Sequence, residues 1–392
     1  MTRPIHVCIL TTGHATDDMR VYYKMAYSFA AAGMRVSWVG PEITLYGQIP
    51  DELEIPITRY LFPCKPGGLG RLIRFFSTYR LAQDVDDVDV FYCPDPDSAY
   101  VGWWLARNRG GRVILDLHEN FQVPHTVQPK GTGPRWRSFS WLIRRGITFI
   151  CRRVDMVMGV SDSVLSPYHH SIRDALVVRN CAPKWLFTES VEADKPVTDS
   201  FTLMHGTGAL ARGTDVVLKA VAGAKRKVDG LRLIVFNAFT EHADGYGERA
   251  FREQIDQLDV VEQIDLREPI PFRSVLSILQ SCDVGLIGYG RRLGVRSLPN
   301  RLFEYMATGL AVLAPSYAEE IKEIVESERC GLLVDFEDIE AVADAIVFLY
   351  EHPDQRLSMA DRGRRAFLER YNWEAEIQPL VDRIQAWFTQ HS

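Results

Sequence analysis

Ser297-Leu-Pro-Asn-Arg-Leu-Phe-Glu304-Tyr-Met-Ala-Thr-Gly309-Leu-Ala-Val312 reads as a helix that leads into a strand. Pro299 and Asn300 open the helix, and its first-turn N–H groups, without partners of their own, point out of that end. Together with the helix dipole they make a natural seat for an anion such as a diphosphate. Glu304 follows about one turn later. It is an acceptor-only carboxylate, suited to two vicinal hydroxyls such as those of a ribose. Gly309 ends the helix and lets the chain turn into the next strand. An ordinary capped helix with a solvated glutamate would use the same residues, and physics alone leaves both open.

Outward from this stretch, apolar strand-like runs alternate with helical patterns. Runs at 201–205, 231–236, 264–266, 284–287, 311–314 and 331–334 form one series, and runs at 5–10, 36–39, 88–92, 113–117 and 156–160 form an earlier one. Short apolar strands separated by helices predict parallel sheets covered on both faces. The expected fold class is α/β: two facing Rossmann-like, doubly wound domains with a cleft between them, ligands lying outside the strand carboxyl ends. One large α/β domain, or two domains that merely adjoin, is the plainer alternative. Asn180 and the polar residues up to Ser200 mark the join. The expected division is an N-terminal domain at 1–185, a C-terminal domain at 186–372, and a closing helix at 373–392 that packs back on the first.

The composition is that of a globular chain: 392 residues, 46% hydrophobic and 24% charged. No apolar run reaches the roughly 18 residues of a membrane span, and the first ten residues lack the pattern of a secretory leader. Seven scattered cysteines without a CxxC pair point to neither a disulfide framework nor a zinc site, so a cytoplasmic setting is expected. The net charge of −6 is uneven: residues 1–185 hold 22 Lys+Arg and 17 Asp+Glu, the remainder 23 and 34. A basic first half on an acidic protein is expected to face an anionic partner.

The stretch at 297–305 closely resembles the donor-binding motif of glycosyltransferase family 4, retaining enzymes of the GT-B fold, in the variant Ser-Leu-Pro-Asn-Lys/Arg-x-x-Glu-Tyr. The resemblance runs over nearly the whole chain and is to the bacterial cell-surface polysaccharide type. His14-Ala-Thr-Asp17-Asp-Met-Arg20-Val-Tyr-Tyr-Lys24 and Gly33-Met-Arg-Val resemble the family's opening. Asp116-Leu-His118-Glu119 is similar to its central histidine motif, and Gly159-Val-Ser161 and Asn180 to the run into its linker. Cys282-Asp283 precedes the donor motif and Tyr371-Asn-Trp373-Glu sits where the family's last helix begins.

The resemblance implies transfer, with retention and without a metal or other cofactor, from a nucleoside diphosphate sugar, foremost a UDP-sugar. The acceptor it implies is a lipid-linked or saccharide one in cell-surface glycan synthesis, bound by the N-terminal domain, while the C-terminal domain binds the donor. Glu304 would bind the donor ribose, and Leu298, Pro299 and Asn300 the diphosphate. In Gly206-Thr-Gly-Ala-Leu-Ala-Arg212-Gly213, Arg212 takes the place of the family's usual lysine and would neutralise that diphosphate. Gly13 would let backbone approach the phosphates. His118 would act near the donor sugar, although a structural histidine at a strand end is the other possibility.

The sequence departs from the common motif at Arg296, where that motif carries a second glutamate eight residues before Glu304; Arg291 and Arg292 lie close by. Either an acidic donor sugar or a loop arginine reaching solvent fits. Asp95-Pro-Asp97 matches an Asp-x-Asp metal signature that is common by chance. Gly206-Thr-Gly208 lacks the third glycine of a dinucleotide loop. His169 and His170 are neighbours on the chain and would point about 100° apart on a helix, so they do not share a metal.

Residues 135–153 hold six arginines, Arg135, Arg137, Arg144, Arg145, Arg152 and Arg153, and no acid. On a helix, Arg137, Trp141, Arg144, Arg145 and Arg152 share one face, and Phe139, Leu142, Ile143, Ile147 and Ile150 the other. An anionic membrane surface or a solvated outer face would each explain this, as for the basic-apolar run at 65–80. No nucleic-acid module accompanies the charge. A nucleotide-sugar 2-epimerase, a non-catalytic sugar-nucleotide binding protein and a membrane-recruitment module are the rival readings.

Overall fold

The computed structural model describes residues 3–45, 54–64, 67–118, 134–188, 200–237, 247–268, 270, 272–295 and 297–389. The chain forms two compact units, residues 1–180 with 376–392, and residues 181–375. The division falls before the 185/186 boundary because Cys181, Ala182, Leu186 and Phe187 pack into the core of the second unit.

The first unit holds strands β1 (His6–Leu10), β2 (Arg35–Glu42), β3 (Ile57–Pro63), β4 (Val90–Cys93), β5 (Arg112–Leu117), β6 (Met156–Gly159) and β7 (Ala175–Val177). They form one sheet in the order β3-β2-β1-β4-β5-β6-β7, every neighbouring pair parallel. Its helices are α1 (Tyr27–Ala31), α2 (Gly67–Ala82), α3 (Pro96–Arg109), α4 (Pro134–Cys151) and α5 (Asp162–Leu165). Every residue of β1, β4 and β6 is buried, as a sheet covered on both faces requires. The sequence pattern missed β3 and β7, two edge strands whose half-exposed residues carry a weak apolar signal.

The second unit repeats the plan. Strands β8 (Phe201–Met204), β9 (Leu231–Phe236), β10 (Ile264–Arg267), β11 (Val284–Leu286), β12 (Ala311–Pro315) and β13 (Gly331–Val334) lie in the order β10-β9-β8-β11-β12-β13, all parallel. Around them lie α6 (Lys184–Thr188), α7 (Thr214–Ala224), α8 (Glu248–Gln257), α9 (Phe272–Gln280), α10 (Arg291–Gly294), α11 (Asn300–Ala307), α12 (Glu319–Glu328), α13 (Ile339–Glu351) and α14 (Pro353–Glu369). The period-two alternation of strand side chains splits the core in two. Leu203, Leu233, Val235, Ala311 and Leu313 join one cluster, while Met204, Ile234, Phe236, Val312 and Ala314 join the other.

The last helix, α15 (Trp373–Thr389), starts with the second unit, where Trp373 N–H donates to the Ala182 carbonyl at 3.0 Å. From Glu376 onward it belongs to the first. In each sheet the order reverses direction beside the first strand, between β1 and β4 and between β8 and β11, the crevice position where open α/β sheets bind ligands.

Candidate functional site

In the first unit the loops after β1, β4 and β5 converge through charged side chains. Asp95, the residue before α3, accepts from Thr11 Oγ1 at 2.8 Å and from Thr12 N–H at 3.2 Å. His14 bridges two carboxylates, with Nε2 3.4 Å from Asp95 and Nδ1 3.2 Å from Asp18. Burial opposes a charge on His14, but the two aspartates outweigh it and raise the ring to about 10. Burial likewise opposes the Asp95 charge, yet His14 and the Thr11 and Thr12 donors hold that carboxyl down at about 2. Asp18 also caps the next segment, accepting from Arg20 N–H and Val21 N–H.

That segment, 21–26, is wound as a π-helix, with Met25 N–H reaching back to Arg20 O. Such turns gather at functional sites. It directs Arg20 onto Asp116, which is fully buried at the end of β5, with Nε and Nη2 at 3.0 and 3.1 Å from its two oxygens. The Tyr92 hydroxyl donates to the same carboxylate. His118 lies just beyond, its Nε2 3.4 Å from Asp116 and its ring centroid 5.3 Å from that of His14. Burial first, then the charges of Arg20 and His14, outweigh Asp116 and push His118 down to about 4. His118 is therefore neutral near pH 7, and its buried Nε2 has no hydrogen-bond partner among the described residues.

In the second unit the loop after β8 meets the start of α11. Gly213 has φ +80, and a Cβ there would stand 1.6 Å from the Gly288 carbonyl oxygen, so only glycine lets α7 start where it does. Arg212 is exposed, with its guanidinium over the Tyr289 ring and donating to the Tyr289 hydroxyl. Arg301, in the first turn of α11, donates from Nη2 to Gly206 O at 3.3 Å. His205, fully buried between these parts, has Nε2 3.2 Å from Thr214 Oγ1. Burial and the charges of Arg301 and Arg212 push its ring down to about 3.

Pro299 is the residue before α11, Asn300 its first residue, and Glu304 lies one turn in, half-buried. Leu298 and Pro299 are half-buried and Asn300 is exposed. Pro299 carries no N–H, which corrects its place among the anion donors. Gly309, with φ +68, closes the helix as its spacing predicts, with Leu310 N–H returning to Tyr305 O. Gly13 sits in the β1 loop with its N–H donating to Thr11 Oγ1. Its φ is not positive, and a Cβ there would meet nothing within 4 Å, so the fold itself does not demand glycine.

Asp95 and Asp97 serve the loops: Asp97 Oδ2 accepts from Thr12 Oγ1 and Arg71 Nε, both at 2.9 Å. Arg291 pairs with Asp335 and Glu337 on the surface. His169 lies beside Asp162, at 3.5 Å. Glu119 and Arg296, and the side chains of Arg135, Arg137, Phe139 and Arg292, lie outside the described residues. On α4, Ile147 and Ile150 are buried, but Leu142 is 59% exposed, a correction to the apolar inner face read from the sequence. His14, Asp18, His205, Tyr289 and Arg301 received no individual role in the sequence. His14, Asp18 and Arg301 lie inside quoted motifs, and that is the signal that could have marked them.

Residues 20–178 match the model of Glycosyltransferase Family 4, and residues 219–382 that of a glycosyl transferase-like domain. A D-inositol 3-phosphate glycosyltransferase from Corynebacterium urealyticum is 27% identical over 173 residues, 44% of this chain and 39% of that protein. A GDP-mannose-dependent alpha-(1-6)-phosphatidylinositol monomannoside mannosyltransferase from Mycobacterium tuberculosis is 22% identical over 44% of each chain. These matches span less than half the length of the curated relatives. Among solved structures, sucrose-phosphate synthase from Thermosynechococcus elongatus shares the fold with a TM-score of 0.72 at 15% identity, covering 99% of this chain and 100% of that one. Anabaena HepE in complex with UDP and glucose shares it with a TM-score of 0.73 at 15% identity, over 97% of this chain and 100% of that one.

Proposed function

The chain belongs to glycosyltransferase family 4, and from that premise we propose that it moves a hexosyl group from a nucleoside diphosphate sugar to a lipid-linked or saccharide acceptor in cell-surface glycan synthesis. The observation that carries this is the junction in the second unit. The loop after β8 and the first turn of α11 are held together by Arg301 on Gly206, which groups Arg212, the first-turn N–H groups of α11 and Glu304 in one unit. Glu304 takes the two ribose hydroxyls. Arg212 and the N–H groups of Leu298 and Asn300 hold the diphosphate and stabilise the negative charge that grows on it as the glycosidic bond breaks. Departure with retention requires no protein nucleophile, since the acceptor hydroxyl attacks from the side the leaving group vacates. Charge compensation by guanidinium and backbone requires no metal ion. His118, neutral and with a buried nitrogen lacking a hydrogen-bond partner among the described residues, is the first unit's candidate for a hydrogen bond to a sugar hydroxyl.

A UDP-sugar is the first donor to try, because HepE binds UDP; GDP-mannose is the second, from the name of the mycobacterial relative. The inositol phosphate and phosphatidylinositol in the relatives' names support a phosphorylated or lipid-linked acceptor, in keeping with the basic first half. We place the protein in the cytoplasm, bound peripherally to the inner membrane face. No helix among the described residues is long and apolar enough to cross a membrane.

The test is binding of a panel of nucleoside diphosphates, then turnover with the donor it selects. Glu304→Ala is expected to weaken the selected diphosphate by about 1.5–3 kcal/mol with the fold retained. Turnover is expected to need an acceptor and to persist in EDTA. Unchanged affinity in the variant removes Glu304 from the site; conversion of donor without acceptor makes the protein an epimerase; and activity lost to EDTA and restored by manganese brings Asp95 and Asp97 back as metal ligands.

A further inference from the structure

We propose that the Arg301 guanidinium is a second cation of the diphosphate seat, engaging a donor phosphate oxygen through Nη1. The assignment rests on the donor role proposed above for the second unit. Arg301 is the second residue of α11, where the helix dipole repels a positive charge. The residue as a whole is half-buried, but its Nη1 is shut off from solvent, and burying an edge of a cation without a partner is costly. A buried arginine ordinarily meets that cost with a carboxylate, yet among the described residues no ion pair joins Arg301 to one. Nη2 rests on Gly206 O, while Nη1 is buried without any partner. Against the cost of burial, Tyr305, Tyr289 and Glu304 keep Arg301 charged, and a charged guanidinium with one edge unused is what an anion-binding group looks like before its anion arrives.

The neighbouring glycine makes the berth. A Cβ on Gly206 would stand 2.9 Å from Arg301 Cζ and Nη2 and 3.2 Å from Nη1. Gly206 has no positive φ, so what glycine supplies there is space for the guanidinium. Arg212 comes from the other side of the same junction, and burial together with both cations keeps His205 uncharged. The two arginines differ in kind: Arg212 is exposed and tied to a tyrosine hydroxyl, whereas Arg301 is half-buried and held by Gly206 O. A planar guanidinium can hold Gly206 O with one nitrogen and present the other, which a lysine ammonium cannot match in geometry.

The experiment measures two quantities in the full chain and in R301Q, R301K and G206A: the Kd for UDP, GDP and ADP, and the melting temperature without ligand. R301Q and G206A are each expected to weaken the diphosphate that the unaltered chain binds by at least about tenfold, with R301K intermediate. Unliganded R301Q is expected to melt no lower than the unaltered chain, because an unpaired buried charge has been removed. Full affinity in R301Q overturns the assignment, and so does a loss accompanied by a lower unliganded melting temperature, which marks a structural residue. If E304A loses affinity while R301Q keeps it, only the Arg301 assignment falls. If the unaltered chain binds none of the three diphosphates, the donor role falls, and the assignment with it.

Discussion

His14 and His118 lie with ring centroids 5.3 Å apart but are held in opposite protonation states, and stability should report them in separate pH windows. His14 is raised to about 10, so the stability it lends is complete below the ordinary histidine value and is lost as pH rises through about 10. His118 is lowered to about 4, so the unfolded chain binds more protons than the folded one below pH 6.5, and stability falls as pH drops toward 4. His205, lowered to about 3, adds to that acid limb. The expected profile of melting temperature against pH has a shoulder near neutrality and falls on both sides. His118→Gln should flatten the acid side in part, since His205 remains, and His14→Gln should flatten the alkaline side. An acid limb unchanged in His118→Gln would mean that this ring is not held neutral. Burial decides the His118 shift and the two aspartates decide that of His14, and these neighbours come together from three different strand ends, so the sequence placed His118 at a strand end without showing its charge state.

At the scale of elements, the strands and α11 were legible because their apolar periods and the glycine and proline signals are local. What escaped was set by tertiary neighbours: the edge strands β3 and β7, the π-wound turn, and the guanidinium of Arg301 against Gly206. The basic helix α4 lies between these cases. Its charge is plain in the sequence, but its setting shows only in the fold, where exposed side chains from three helices join it: Leu72 and Phe76 on α2, Trp104 on α3, Trp141 and Leu142 on α4. Tyr79 against Trp104 links α2 to α3, and Trp103 against Phe149 links α3 to α4. Large exposed apolar groups rimmed by Arg144 and Arg145 suit a membrane interface better than plain solvent. Each basic side chain near an anionic surface contributes about 1 kcal/mol, screened beyond roughly 8 Å at physiological salt. Sedimentation with anionic vesicles at low salt is therefore expected, and Arg144→Glu with Arg145→Glu should abolish it while leaving diphosphate binding intact. A protein that stays in the supernatant even at low salt has a solvated face there.

On the scale of the whole molecule, the doubled α/β plan was legible as two series of strands; the return of the last helix to the first unit was expected too, but its starting point at Glu376 rests on contacts that no local pattern carries. From Glu376 onward, α15 supplies the first unit with buried Ile377, Leu380, Val381 and Ile384. It also satisfies polar groups there. Glu376 accepts from Arg179 N–H and Nη1, both at 3.0 Å, Asp174 takes Arg383, and the Arg112 guanidinium lies 5.0 Å from the Trp387 ring centroid. Full burial of one large apolar side chain is worth about 1.5–3 kcal/mol, so the four together represent on the order of 6 kcal/mol or more, a large share of a domain's net stability. Deleting residues 376–392 should therefore lower the stability of the first unit, while the core of the second keeps Trp373 and its bond to Ala182. The melt of the shortened chain is expected to split in two. The early transition should ignore the bound nucleoside diphosphate, and the late one should rise with its concentration, because a ligand stabilises only the unit that binds it. A single transition at the original temperature would show that the segment contributes nothing to the first unit. A diphosphate that raised the early transition would place the donor in the first unit, against the assignment made from Arg212, Arg301 and Glu304.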